Sequence, residues 1–175
     1  QNITKLCESI GHVRIPPYLN RADHETDRER YQTVFANHRF TDSAAAPTAS
    51  LHFDDELFES VNKNFTTCKI SLAVGLGTFK PLSDEPITKS STLHDEDFFI
   101  SDESAKLINN QIKNDKRVIA IGTTTLRALE AAWCNKLNVI KPGKNTTNIF
   151  IKEGYKFKVV NCLVTNFHLP QSSLL

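Results

Sequence analysis

The sequence contains no methionine and a single tryptophan, and glycine supplies only six of its 175 residues. With seven prolines besides, this composition excludes a collagen-like or low-complexity chain, and no internal repeat is visible. No apolar run approaches the ~20 residues that a helix needs to cross a bilayer. The chain does not open on a signal-peptide pattern either. Cys7, Cys68, Cys134 and Cys162 lie far apart, with no CxxC pair and no histidine at metal-ligand spacing. That distribution argues against a metal site or a disulfide framework, and for reduced thiols in a cytoplasmic protein. A formal net charge of +1 decides nothing about nucleic acid, which requires only a local basic patch. The start at Gln1-Asn2-Ile3, the lack of methionine and the stop at Leu174-Leu175 after an apolar stretch together read as part of a longer protein. What is present is 39% apolar and 23% charged, ordinary for a globular chain long enough to bury a core.

The chain is organised around residues 117–132, RVIAIGTTTLRALEAA. Arg117-Val118-Ile119-Ala120-Ile121 has the β-branched, apolar composition of a buried strand. Gly122 interrupts it, and Thr123, Thr124 and Thr125 place three hydroxyls where a helix would begin. Leu126, Leu129, Ala132 and Trp133 then recur at helical spacing, with Arg127 and Glu130 on other faces. Strand, glycine, hydroxyl cluster and helix is a sequence that presents free backbone N–H groups and a positive helix end to an anion. Taken alone, the threonines are better explained as helix caps.

Taken in order, residues 11–19 hold two prolines that enforce an extended path. Residues 21–30 mix both charge signs, as a solvated loop entering a helix does. The same block carries Arg21, Arg28 and Arg30 beside Tyr31 and Gln32, the makings of a phosphate-facing edge. Residues 43–53, SAAAPTASLHF, offer Thr48 or Ser50 as cap for a helix over 54–62, with His52 either a packing residue or a site group. A strand over 69–74 leaves through Gly75-Leu76-Gly77-Thr78, where the glycines allow close approach to a ligand or simply a bulge. The missing third glycine excludes a dinucleotide fingerprint. In Leu93-His94-Asp95-Glu96-Asp97, His94 and Glu96 share a side if extended, giving either an acid–base pair or a solvated acidic loop. A helix over 101–114, capped by Ser101, leads into the strand over 117–121, which predicts a right-handed crossover and a largely parallel arrangement. Residues 141–148 read as a polar turn. Strands follow over 149–151 and 157–164. Thr165-Asn166-Phe167-His168 stands at the end of the last one, where open α/β sheets place ligands.

The stretches GHVRIPPYLNRAD, DRERYQTVFA, AAAPTASLHF, VGLGTFKPL, LHDE, IAIGTTTLRALE, GYKFKVVNCLVTNFHLP and SSLL occur in that order. Together, from about Gly11 to the last residue, they closely resemble the S-adenosylmethionine:tRNA ribosyltransferase-isomerase family of the queuosine pathway. Where that family usually reads HxMHxE, this chain has Ser91-Thr92-Leu93-His94-Asp95-Glu96 and keeps His94 and Glu96. The resemblance implies a mixed, largely parallel α/β sheet or barrel-like core with helices. Residues 1–175 would form one α/β catalytic domain, without the family's N-terminal portion and separate small β-barrel.

The resemblance further implies an enzyme with no resident cofactor or metal, which consumes S-adenosylmethionine as a ribosyl donor; a monomer is the default expectation, and cysteine usage points to the cytoplasm. The acceptor would be 7-aminomethyl-7-deazaguanine at the wobble position of a tRNA with a GUN anticodon, and the products epoxyqueuosine-tRNA, adenine and methionine. Among the matching residues, His94 with Glu96, or Glu96 itself, is the expected base, and His52 and His168 the candidates for protonating adenine. Thr123, Thr124, Thr125, Arg127, Gly75, Gly77, Thr48 and Asn166 are expected to hold S-adenosylmethionine, with Arg127 on its carboxylate. Arg21, Arg28 and Arg30 are expected to face the tRNA. Two rivals stand beside this reading. One is a binding remnant of the same family without catalysis. The other is an ordinary methyltransferase, weakened because no GxGxG loop follows an early strand.

Overall fold

The protein is described by a computed structural model over residues 6, 10–13, 15–16, 19–37, 43, 45–75 and 93–168. Helix α1 (Asp27–Arg30) is a single turn, and a 3-10 turn follows over Thr48–Ser50. Helix α2 (Asp55–Asn64) starts at Asp54, whose carboxylate accepts the Leu57 N–H at 2.8 Å. Neither Thr48 nor Ser50 caps this helix. The Ser50 hydroxyl instead donates to the Pro47 carbonyl at 3.0 Å, inside its own turn.

The remaining elements are β1 (Ser71–Ala73), β2 (Glu96–Ile100), α3 (Asp102–Lys113), β3 (Ile119–Ile121), α4 (Thr123–Ala131), β4 (Trp133–Cys134), β5 (Val139–Ile140), β6 (Gly143–Thr147) and β7 (Cys162–Val164). Helix α3 is capped as its sequence predicts, with Ser101 Oγ accepting the Ser104 N–H at 3.1 Å. Its apolar stripe, Ala105 and Ile108, joins Phe98 and Ile100 of β2, Leu126, Ala128 and Leu129 of α4, and Ile140 in one buried cluster.

The fold is mixed α/β, but its strands are not largely parallel. Among the described residues, β1, β2 and β6 form an antiparallel sheet in the order β1-β2-β6, and β4 pairs antiparallel with β5. Of the described strands, only β3 and β7 run parallel. The discrepancy has two causes. Residues 143–147, GKNTT, read as a turn because they are polar, yet they pair along the whole of β2 as a strand. An edge strand with a solvated side requires no apolar alternation, and only Thr147 is buried. Second, residues 149–151 form no strand and the expected strand over 157–164 shrinks to Cys162–Val164. The N–H groups of Lys158, Val159 and Val160 bond to the Glu130 carboxylate rather than to a neighbouring strand. The helix expected to include Trp133 ends at Ala131, and Trp133 enters the β4–β5 pair. No helix among the described residues is long and apolar enough to cross a membrane.

Gly122 joins β3 to α4 at φ 97° and ψ 142°, a conformation that L side chains rarely adopt. A Cβ there would meet Thr124 Oγ1, Ala49 Cβ and Thr125 Oγ1 at 3.7–3.8 Å, ordinary contact distances. Backbone strain, not space, is therefore what selects glycine. Gly122→Ala is expected to cost about 1–3 kcal/mol, read as a lower denaturant midpoint with an unchanged m-value. An unchanged midpoint would show that the turn relaxes.

Candidate functional site

Parallel pairing gives β3 and β7 a common carboxyl end. The register runs Ile119 to Cys162, Ala120 to Leu163 and Ile121 to Val164, and the Gly122 N–H continues it by donating to the Val164 carbonyl at 2.8 Å. Two segments therefore leave side by side. One is the start of α4 with Thr123, Thr124 and Thr125; the other is residues 165–168, where Asn166 and His168 are half-buried. The Thr48–Ser50 turn joins them, since Ala49 lies within contact reach of Gly122. Thr48, Thr123, Thr124, Thr125, Asn166 and His168 thus lie on the three segments that leave or reach one end of a parallel strand pair.

The helix start is unsatisfied internally. Gly122 is the N-cap and has no side chain with which to cap. Among the described residues, the Thr123, Thr124 and Thr125 hydroxyls make no hydrogen bond to protein. First-turn N–H groups with no capping side chain carry the positive end of the helix dipole. Burial holds the His168 imidazole below its ordinary value.

Arg127 and Glu130 do not occupy the outer faces that apolar spacing suggests. Leu126 to Glu130 are all buried, so this helix is enclosed all round. Arg127 Nη1 donates to Glu96 at 2.6 Å, and Nε donates to the Ile149 carbonyl at 2.9 Å. The two side chains of the ion pair are 8% and 3% exposed. Nη2 of Arg127 is buried and has no partner among the described residues. Burial pushes the guanidinium below its ordinary value, against the pull of Glu96. The structure therefore brings Glu96 together with Arg127, while His94, two residues before, is exposed.

Glu130 was not singled out by its sequence. Its carboxylate accepts the N–H groups of Lys158, Val159 and Val160 at 2.9–3.0 Å and the Tyr155 hydroxyl at 3.2 Å. Burial and that carboxylate push the Tyr155 phenol up to about 12. The signal available was a lone acid within the apolar run LRALEAA. Of the remaining candidates, His52 is exposed and stacks on Phe53 with ring centroids 4.8 Å apart. Gly75 is half-buried near the Asp95 carbonyl, and Gly77 lies outside the described residues. Arg21 grips Asp27 with two hydrogen bonds of 2.7 and 2.9 Å, and Arg28 donates to the Gly11 carbonyl at 2.9 Å. Among the described residues, no group of His, Cys, Asp and Glu is arranged to hold a metal ion.

These features define a mixed α/β protein with a polar site at the carboxyl end of a parallel strand pair. The chain belongs to the family described as queuosine biosynthesis protein, which it matches over residues 1–175. It is 44% identical over 169 residues to the S-adenosylmethionine:tRNA ribosyltransferase-isomerase of Treponema denticola, covering 96% of this chain and 48% of that protein. The protein of the same name from Sulfurihydrogenibium sp. is 47% identical over 178 residues, covering 100% of this chain and 50% of the relative. The crystal structure of S-adenosylmethionine tRNA ribosyltransferase from Thermotoga maritima superimposes with a TM-score of 0.52 at 29% identity, over 72% of this chain and 38% of that one. The chain spans about half the length of the curated relatives it matches.

Removing one member of the buried ion pair strands the other charge. Arg127→Ala is expected to cost about 3–5 kcal/mol, and Glu96→Leu with Arg127→Met to recover a substantial part of it; equal losses in both would place the effect in packing alone. For His168 the linkage sign follows from its lowered pKa. As pH falls through about 6.5 the unfolded chain gains this proton first, so His168 reduces stability below that pH and has no effect above it. Its NMR titration midpoint should lie below 6.5, and His168→Gln should flatten the loss of stability below about pH 6.5. A midpoint at or above 6.5 would contradict the burial.

Proposed function

We propose that this chain is the α/β catalytic portion of a cytoplasmic S-adenosylmethionine:tRNA ribosyltransferase-isomerase. In this reading it acts on a tRNA with a GUN anticodon that carries 7-aminomethyl-7-deazaguanine, and it works as a monomer without resident cofactor or metal. The observation that carries the reading is the uncapped start of α4, with three unbonded threonine hydroxyls beside Asn166 and His168. Such an end holds the oxygen atoms of a ribose or a carboxylate, and it occurs in a chain whose relatives bear that enzyme's name.

The reaction sets physical demands. The C5′ hydrogens of S-adenosylmethionine stand beside a sulfonium, which stabilises the ylide left when a base removes one. Elimination then opens the ribose and expels adenine, the acceptor's primary amine adds to the unsaturated sulfonium, and epoxide closure releases methionine. A base active near neutral pH is needed, and so is a proton donor for adenine. His94 is exposed, and Glu96 beside it is fixed by Arg127. We assign His94 the role of base and His168, with His52, the protonation of adenine. Asn166 would fix the edge of the base, Thr48, Gly75 and Gly77 would lie along the nucleoside, and the one unpartnered nitrogen of Arg127 would reach the methionine carboxylate.

The test is adenine release. The protein incubated with S-adenosylmethionine and the aminomethyl-deazaguanine tRNA should liberate adenine and methionine in equal amounts. Formation of S-adenosylhomocysteine would make it a methyltransferase, and no product at all a binding protein. His94→Ala should lower kcat at least about 100-fold while S-adenosylmethionine binding persists; an unchanged rate removes His94 from the mechanism.

A further inference from the structure

A groove of about 430 Å3 is lined by Ile15, Leu19, Arg21, Asp27, Arg30, Tyr31, Gln32 and Leu51. Its volume falls within the range of about 300–1,000 Å3 usual for small-ligand sites. Ile15, Leu19 and Leu51 supply apolar wall, and Tyr31 adds an aromatic ring. Arg21 and Asp27 cancel each other through their two-point ion pair. Asp27 also accepts the His24 N–H at 2.8 Å, and the Arg21 guanidinium holds its carboxyl well below the usual carboxylate range. This pair is a rigid floor rather than a ligand.

Arg30 is different. It lies in the last turn of α1, is exposed, and its side chain has no hydrogen-bond or ion-pair partner among the described residues. Among the described residues Asp27 is the one carboxylate lining the groove and is already committed, so the open charge is that of Arg30. Gln32, also exposed, offers an amide able to both donate and accept.

We propose that this groove binds one nucleotide of single-stranded RNA adjacent to the reacting residue, with its base against Tyr31 and the leucines, its base edge on Gln32 and its phosphate on Arg30. An aromatic face with a flanking guanidinium is how proteins hold an unstacked base on its backbone. The charge discriminates between the two nucleosides at hand. S-adenosylmethionine carries no phosphate, bears a sulfonium that an unpaired guanidinium repels, and has a single carboxylate, which the proposed function gives to Arg127, whereas a phosphodiester complements Arg30. Position agrees as well. Leu51 directly follows the turn whose Ala49 lies within contact reach of Gly122, so the groove and the start of α4 share that turn. The inference rests on the proposed tRNA substrate, and it moves RNA recognition from a surface row of arginines to one groove.

The experiment pairs two readouts on the intact protein. Fluorescence anisotropy measures binding of an anticodon stem–loop RNA, and steady-state adenine release gives KM for tRNA and for S-adenosylmethionine separately. Arg30→Ala with Gln32→Ala changes two exposed side chains and should leave the melting temperature unchanged. It should weaken stem–loop binding and raise the tRNA KM about tenfold, and lower the salt dependence of binding by about one unit of slope. The KM for S-adenosylmethionine and kcat should stay as in the wild type. Lys106→Ala, which removes an exposed charge on α3, should change none of these. Stem–loop binding that is unaltered in the double variant overturns the inference while leaving the ribosyl transfer intact. A raised KM for S-adenosylmethionine alone assigns the groove to the other nucleoside and also overturns it. Should the wild type release no adenine yet lose RNA binding in the double variant, the enzymatic reading fails and the groove stands.

Discussion

The buried pair of Glu96 and Arg127 is the contact on which the architecture depends. It joins the first residue of β2, in the antiparallel sheet, to α4, the helix that continues the parallel strand pair. Two side chains this deeply enclosed carry a large desolvation cost. They offset it with a short charge-assisted bond and a second bond from Nε to the Ile149 carbonyl. Glu130, one turn further along the same helix, does the corresponding work on the other side by gathering three successive backbone N–H groups ahead of β7. Helix α4 is thus clamped by ionic and polar contacts at two levels while apolar packing surrounds it.

That clamp makes the polar end of the helix usable. A helix start with no capping side chain is a liability unless the rest of the helix is held firmly, and here Gly122 in its left-handed turn sets the direction of the amides. Residues 158–160, tied to Glu130, deliver the chain into β7, so that the segment carrying Asn166 and His168 leaves the strand pair at the same end as the threonines. The β3–β7 pair remains open on one face, where Ile119 is 49% and Val164 40% exposed. Parallel strands are ordinarily covered on both sides.

Several of these features were legible in the residues themselves. Ser101 ahead of an amphipathic run marked α3 and its cap, and RVIAIGTTTLRALEAA marked a strand, a glycine turn and a helix. Strand β6 was not legible, because its residues, GKNTT, have no apolar alternation and their place in the sheet comes from pairing with β2. The false strands at 149–151 and 157–161 failed for a related reason: apolar composition does not reveal that the local carbonyl and amides bond to Arg127 and Glu130 instead of to a ladder.

By itself, then, the sequence determined the family resemblance, the positions of the principal helices, the need for glycine at position 122 and the run of hydroxyls behind it. These depend on neighbours along the chain. Only the tertiary structure decided which charges face inward, that Arg127 meets Glu96, that Arg21 is taken by Asp27 while Arg30 is left open, and which strands run parallel. Each of those outcomes joins residues distant in sequence, and whether a charged side chain is solvated or buried is set by what the rest of the chain packs against it, which local spacing does not encode.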